Sequence, residues 1–321
     1  MGRPTTEKQG TPTATLVQVA RLYYMDHLGQ REIAERIGVS RSLIAQYLRK
    51  AREQGLVRIE IADPDDRCAD LAEGIRAKIG IEHVEVVSDI GNPALTSGAV
   101  AVRTAEHLDR RLKPREVLGL AWGRSVMEVV SALSPRSPRH VEVVPLFGER
   151  SNLSEYTQLN QLVMQAAGRI GGAPHFLLAP MLVGTARLRD DLLKEDQVKQ
   201  VIESWGRLDV ACFGVGVVPP TPGMIPYLGE EFIPKLQPAG AVGDICGRYF
   251  DRSGTIIPSG LEDRIIGVSV EELRKARLTI AVAHGADKGR AVAAALRTGL
   301  ISALFVDQAC AQVILEEQEQ T

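Results

Sequence analysis

Residues 30–55 read QREIAERIGVSRSLIAQYLRKAREQG, and this stretch decides the fold of the first part of the chain. The apolar positions Ile33, Ala34, Ile37, Val39, Ile44, Tyr47 and Leu48 are spaced for two short helices packed at a steep angle. Ala34 is small, as a close crossing requires. Gly38 stands where the chain must turn sharply, and glycine takes the left-handed conformation without steric cost. Ser40, one residue ahead of Arg41, is a good N-cap for the second helix. That helix presents Arg41, Ser42, Ala45, Gln46 and Arg49 away from Ile44 and Leu48. Arg and Gln pair bidentately with guanine and adenine edges in a major groove, and small Ser and Ala let a helix approach closely. Arg41 and Gln46 are therefore the expected base readers, with Ser42 beside them and Arg49 and Lys50 toward the phosphates.

A solvated amphipathic hairpin of helices would show part of the same pattern. Two neighbouring features argue against it. A preceding apolar helix is expected over residues 15–27, completing a three-helix core through Leu16, Val19, Ala20, Tyr23 and Tyr24. A short strand, VRIEI at 57–61, follows Gly55 as a wing would. Charge agrees: residues 1–62 hold ten Lys/Arg and six Asp/Glu, a balance of +4, whereas the whole chain is −2, so residues 63–321 carry −6. A basic head on an acidic body suits binding of double-stranded DNA by the head alone.

At 321 residues the chain is long for one domain and comfortable for two, read here as 1–62 and 63–321. Aromatics are only 4%, too few for a stacking platform for single-stranded nucleic acid. Cys68, Cys212, Cys246 and Cys310 lie far apart, which supports neither a zinc site nor a disulfide framework and fits a reducing cytoplasm. The opening residues are polar and lack a signal-peptide core. The apolar runs are strand-sized, so no membrane span is expected. Gly2-Arg3-Pro4 is read as part of an idle arm rather than a minor-groove contact.

Beyond a linker at 62–66 and a helix over 67–79, with Leu71, Ile75 and Ile79 on one face, short apolar runs alternate with helical stretches. The runs are 83–87, 117–121, 141–147, 175–180, 209–215, 279–283 and 303–306. The helices fall at 94–112, 125–133, 157–170, 188–204, 270–276, 288–298 and 308–317. Such alternation predicts a doubly wound α/β domain with a parallel sheet covered on both faces. Residues 219–259, rich in Gly and Pro, break the rhythm and read as a loop with a small antiparallel excursion.

In an open parallel sheet, ligands sit beyond the carboxyl ends of the strands. After 117–121 comes Trp122-Gly123-Arg124-Ser125 and then a helix, a good recipe for an anion: close backbone approach, free amides and polar side chains. An ordinary strand-to-helix turn capped by Ser125 would look the same. After 141–147 come Gly148, Glu149 and Arg150. Gly214-Val215-Gly216 lacks the third glycine of a dinucleotide fingerprint, so no nicotinamide cofactor is expected, and no other cofactor or metal is. His284-Gly285-Ala286-Asp287-Lys288 enters another helix, where Lys288 can meet an anion as a point charge. Asp244, in GDICGRYFDRSG, can take ligand hydroxyls, while Asp251 looks like a turn residue.

These motifs, LGLAWGRS, VVPLFG, LNQLVMQAA ahead of HFLLAPMLV, GVG, GDICGRYFDRSG and the Lys288 loop, occur in an order and spacing that resembles the SorC family of sugar-binding transcriptional regulators over nearly the whole length. The resemblance implies a winged helix-turn-helix joined to an effector domain related in fold to ribose-5-phosphate isomerase and glucosamine-6-phosphate deaminase. It also implies a homotetramer that binds operator DNA and answers a sugar, usually a phosphorylated one. Gly123, Arg124, Ser125, Arg150, Gly216, Asp244 and Lys288 are then the expected effector contacts. Two positions depart from the family pattern of paired glycines: Gly148-Glu149 and His284-Gly285. A Glu149 side chain aimed inward would repel a phosphate, with Arg124 and Arg150 as possible counter-charges, so a free sugar, a polyol or a differently placed phosphate stays open. Two other readings remain at this point. One is a sugar-phosphate isomerase or deaminase with a DNA-binding appendage, using Asp244, Glu149 or His284 as acid or base. The other is a DNA-binding oligomer with an empty cleft.

Overall fold

The structure, a computed structural model, describes residues 12–59, 66–135, 140–149, 158–219, 236 and 239–319. Its contacts divide the chain into two units, Met1–Ala62 and Asp63–Thr321.

Among its described residues the first unit holds three helices: α1 (Thr13–Tyr24), α2 (Gln30–Ile37) and α3 (Arg41–Glu53). Val19, Leu22, Ile33, Ala34, Ile44 and Leu48 form its core, and Leu16, Ala20 and Ala51 close its other side. Ile33 and Ile44 are wholly buried, so each contributes about 1.5–3 kcal/mol of transfer free energy. Gly38 ends α2 with φ 78° and ψ 34°, the left-handed conformation that its sequence position calls for. The Glu32 carboxylate reaches back to the Gly29 N–H at 2.7 Å and fixes the start of α2. Ser40 caps α3 by accepting the Leu43 N–H at 3.3 Å. Helix α1 stops three residues earlier than expected, and His27 beyond it has φ 55°. Residues 57–59 of the expected wing form no strand, and the Val57 N–H donates to the Ala51 carbonyl at 3.3 Å; Glu60 and Ile61 lie outside the described residues.

The second unit is built on a seven-stranded parallel sheet with order β1-β10-β9-β5-β2-β3-β4. Its strands are β1 (His83–Val87), β2 (Val117–Leu120), β3 (Glu142–Pro145), β4 (Ala173–Pro174), β5 (Val210–Gly214), β9 (Leu278–Val282) and β10 (Ala303–Asp307). β2, β9 and β10 are buried along their whole length, the mark of a sheet covered on both faces. Helices α4 (Asp66–Ile79), α5 (Pro93–Arg111), α6 (Arg124–Ala132), α7 (Leu159–Ile170), α8 (Ala186–Leu192), α9 (Asp196–Trp205), α10 (Val270–Lys275), α11 (Gly289–Arg297) and α12 (Gln308–Glu319) occur in this unit. The Trp205 indole N–H donates to the Pro145 carbonyl at 2.8 Å and ties α9 to β3. A separate antiparallel sheet, β6 (Gly216–Val217), β7 (Ala241–Ile245) and β8 (Arg248–Asp251), is the excursion expected after residue 219; it starts three residues sooner.

Two expectations need correction. Residues 175–180 are not a strand: the edge is the two-residue β4, whose ladder ends at the His175 N–H on the Val143 carbonyl, after which the Leu177 backbone turns to exchange bonds with the Asn160 side chain. The helix expected over 188–204 is two helices, broken at residues 193–195. There the Leu193, Lys194 and Glu195 amides close turns on Arg189, Asp191 and Leu192, and the Lys194 ammonium meets the Asp191 carboxylate at 3.1 Å. The four cysteines are buried and free, and burial pushes the Cys212 thiol up to about 12. Among the described residues no helix is long and apolar enough to cross a membrane.

Candidate functional site

In the first unit, α3 offers one solvent face. Arg41, Ser42, Ala45, Gln46, Arg49 and Lys50 are all exposed, while Ile44, Leu48 and Ala51 are buried against α1 and α2. The Ser42 hydroxyl lies 2.9 Å from that of Ser40, so it also supports the helix start. Arg49 pairs with Glu53 at 3.6 Å across one turn, both side chains largely exposed, a pair that binding of a phosphate can outbid. The helix thus carries polar and cationic groups on a rigid, well-capped rod, as groove reading requires.

In the second unit, the sheet order locates the cleft. From β2 the chain winds outward through β3 and β4; from β5 it winds the other way through β9 and β10. β2 and β5 are neighbours, with Leu118 opposite Val210 and Leu120 opposite Cys212. Their carboxyl ends therefore form a topological switch point, where the two following loops part and leave a crevice. Three of the loops singled out in the sequence, those after β2, β5 and β9, leave the sheet at this end, and Asp244 joins them from the small sheet.

After β2, Gly123 takes φ 151° and starts α6 without a side-chain cap. A side chain built there would meet nothing within 4 Å, so the backbone is open to approach. Arg124 is exposed and Ser125 half-buried at the head of α6. After β5, Gly216 pairs with Asp244 across β6 and β7. A Cβ on Gly216 would overlap the Asp244 carboxylate, so only glycine leaves room for it. The Asp244 Oδ2 accepts the Gly247 N–H at 3.0 Å. After β9, a 3-10 turn (Ala286–Lys288) carries Lys288, whose Nζ donates to the Val215 carbonyl at 3.1 Å. Burial pushes the Lys288 ammonium below its usual value; Asp244 and Asp287 pull it back up, and Arg124 adds to the depression. Asp244, Gly216 and Lys288 thus converge, with Arg124 within electrostatic reach. Arg150 lies outside the described residues.

The remaining acids are engaged elsewhere. Glu149 accepts two backbone amides of α7, from Asn160 at 2.7 Å and Leu159 at 3.1 Å. Asp251 serves its own turn, accepting the Ser253 hydroxyl at 2.6 Å and the Thr255 N–H at 2.9 Å. The Ser253 hydroxyl is the first cause that holds its carboxyl below the usual range. Sequence reading missed Asp307. It is buried at the end of β10, accepts the Gly285 N–H at 3.0 and 2.9 Å, and caps α12 through the Cys310 N–H at 3.0 Å. An Asp just ahead of a helix is a cap signal that could have found it.

A rigid reading helix and a polar cleft at a switch point define a ligand-responsive DNA-binding protein as the class, and comparison with known proteins agrees. The Sugar-bind model of sugar-binding domains matches residues 63–316, and a winged helix-turn-helix DNA-binding model matches residues 26–58. The sorbitol operon regulator of Klebsiella pneumoniae is 29% identical over 94% of this chain and 97% of its own. The transcriptional regulator LsrR of Escherichia coli is 30% identical over 93% and 94%. The solved full-length SorC structure from Klebsiella pneumoniae superposes with a TM-score of 0.79 at 28% identity, over 96% of this chain and all of that one. The chain belongs to the SorC family of sugar-binding transcriptional regulators.

Proposed function

We propose that this regulator controls a carbohydrate-utilisation operon, binding operator DNA through residues 30–54 and taking one sugar, sugar phosphate or polyol per chain in the cleft. The observation that carries the second part is the convergence of Asp244 and Lys288 beside the uncapped start of α6 at the β2/β5 switch point. Ser125 and the amides beyond Gly123 would hold the most polar or anionic end, Lys288 with Arg124 would neutralise it, and Asp244 would accept bonds from hydroxyls. Arg41 and Gln46 would read bases, with Ser42 close against them and Arg49 and Lys50 on phosphates.

Binding rather than turnover is favoured by how the acids are held. Glu149 is spent on α7, and Asp244 already accepts a backbone amide beside the Lys288 charge. The relatives are named as regulators. A homotetramer acting in the cytoplasm fits the need to read more base pairs than one helix-turn-helix can; the family resemblance supplies the number four.

A thermal-shift screen of sugars, polyols and their phosphates, followed by operator-binding titrations with each hit, tests the reading. A hit that changes operator affinity supports it. A hit that the protein converts to product would favour the enzyme reading, and sedimentation of the full chain as a monomer at micromolar concentration would remove the tetramer.

A further inference from the structure

Helices α5 and α6 pack side by side and leave an open groove of about 440 Å³ between them. Gly98 and Ala101 of α5 and Arg124, Met127, Glu128 and Ser131 of α6 line it. Leu95 and Val102, both exposed, continue an apolar strip along the Gly98 face of α5, since residues three and four apart share one face of a helix.

Three features of this groove are unexplained within one chain. Glycine weakens a helix interior relative to alanine, yet a Cβ on Gly98 would meet nothing within 4 Å. No packing among the described residues therefore requires that glycine. The Glu128 Oε1 accepts the Ser97 hydroxyl at 3.3 Å, but Oε2 is buried with no hydrogen-bond partner among the described residues, a costly state for a carboxylate oxygen. Arg124, one turn earlier on the same face, is exposed and forms no hydrogen bond or ion pair among the described residues.

The unmet acceptor and the unmet cation stand four residues apart on one helix. Across a twofold axis each residue meets its counterpart's partner reciprocally. An antiparallel crossing of α6 on its own copy then sets Arg124 of each chain against Glu128 of the other and answers both needs twice. The terminal torsion of a glutamate is soft, so a small turn of the carboxylate presents it to a guanidinium entering the groove. Gly98, Ala101 and Ser131 are small and let the second copy approach, and Leu95 and Val102 are covered by it. A different partner would have to bring both charges at the same spacing.

We infer that the α5/α6 face is an interface between two copies of this chain, with Arg124 of each paired to Glu128 of the other across a twofold axis. This rests on the self-association put forward above and gives it a surface.

The test is sedimentation equilibrium of the full chain at micromolar concentration, for the wild type, Gly98→Leu, Arg124→Glu, Glu128→Arg and the double exchange of Arg124→Glu with Glu128→Arg. Because Arg124 also borders the cleft, mass is measured without effector, and circular dichroism melting checks that each variant folds. Gly98→Leu and each single charge reversal should halve the wild-type mass, and the double exchange, which restores opposite charges, should recover it. Wild-type mass in both Gly98→Leu and Arg124→Glu, whose sites are open in the single chain, would overturn the inference. So would a folded double exchange that stays at half mass. A wild-type dimer that the variants split would remove the number four and leave the interface standing, whereas a wild-type monomer would remove both.

Discussion

Gly216 and Asp244 face each other across the first pair of strands in the small sheet, and the carboxylate of one occupies the space a side chain on the other would need. Gly216→Ala should therefore displace Asp244 without touching the reading helix. The expected outcome is effector binding weakened by at least about tenfold, or 1.4 kcal/mol, with operator affinity in the absence of effector unchanged. Parallel titrations of effector and operator DNA check it; retention of full effector affinity would show that Asp244 is not a ligand contact.

Lys288 and Asp244 divide the ligand classes between them. For a phosphorylated effector, Lys288→Ala should cost about 1.5–3 kcal/mol, the scale of a charge-assisted hydrogen bond. For a neutral polyol the same change should matter much less, while Asp244→Asn still weakens binding. Calorimetry of both variants against a sugar phosphate and its free form reads the two effects. If neither variant alters either affinity, the cleft has been placed wrongly.

Gln46 is exposed in the middle of α3. Gln46→Ala should cost roughly 1–3 kcal/mol at one base pair and relax specificity there. Selection of binding sites from a random pool measures this, and an unaltered preference would remove Gln46 from base reading.

Acid should loosen the second unit through His107. Its ring is buried, with Nε2 unbonded, and stacks on His83 at 4.4 Å and against Phe305 at 5.1 Å between centroids. Burial, followed by His83, Arg111 and Arg110, pushes its pKa down to about 4, with Glu82 opposing. In the unfolded chain the ring titrates near 6.5. Between these values the unfolded chain binds more protons, so the contribution is complete above pH 6.5 and is lost as pH falls toward 4, a span of about 1–3 kcal/mol. Melting curves at pH 7.5 and 5 should show the drop, and His107→Leu should flatten it. An equally steep pH dependence in the variant would assign the effect elsewhere.

The reading head was legible because its signals are local. Gly38, Ser40 and the spacing of Ile33, Ile44 and Leu48 specify turn, cap and core within twenty residues, and all three are found. The wing is only partly described: residues 57–59 form no strand, Glu60 and Ile61 lie outside the described residues, and a winged helix-turn-helix model matches residues 26–58. The parallel sheet was legible from buried apolar runs, but its edge was not. HFLLAP carries strand-like apolar residues, yet Phe176 and Leu178 remain exposed beside the short β4. The cleft was half legible. Loops after strands named Gly123, Gly216, Asp244 and Lys288, but the order of strands, which makes β2 and β5 neighbours, depends on long-range pairing. Glu149 shows the same limit. Its charge is plain in the sequence, and its partner is a helix start ten residues away that only the fold brings within reach.

Asp307 gives the Lys288 loop a mechanical linkage. One carboxylate holds both the Gly285 amide at the loop's entrance and the Cys310 amide at the start of α12. Helix α12 packs in turn on α4, where the Leu315 side chain lies over Gly74, and α4 is the first helix after the stretch that joins the body to the head. A ligand that pulls Lys288 inward must therefore either break the Asp307 bonds or carry α12 with it. In the second case the displacement is passed through the Leu315 contact over Gly74 to α4, within the same unit.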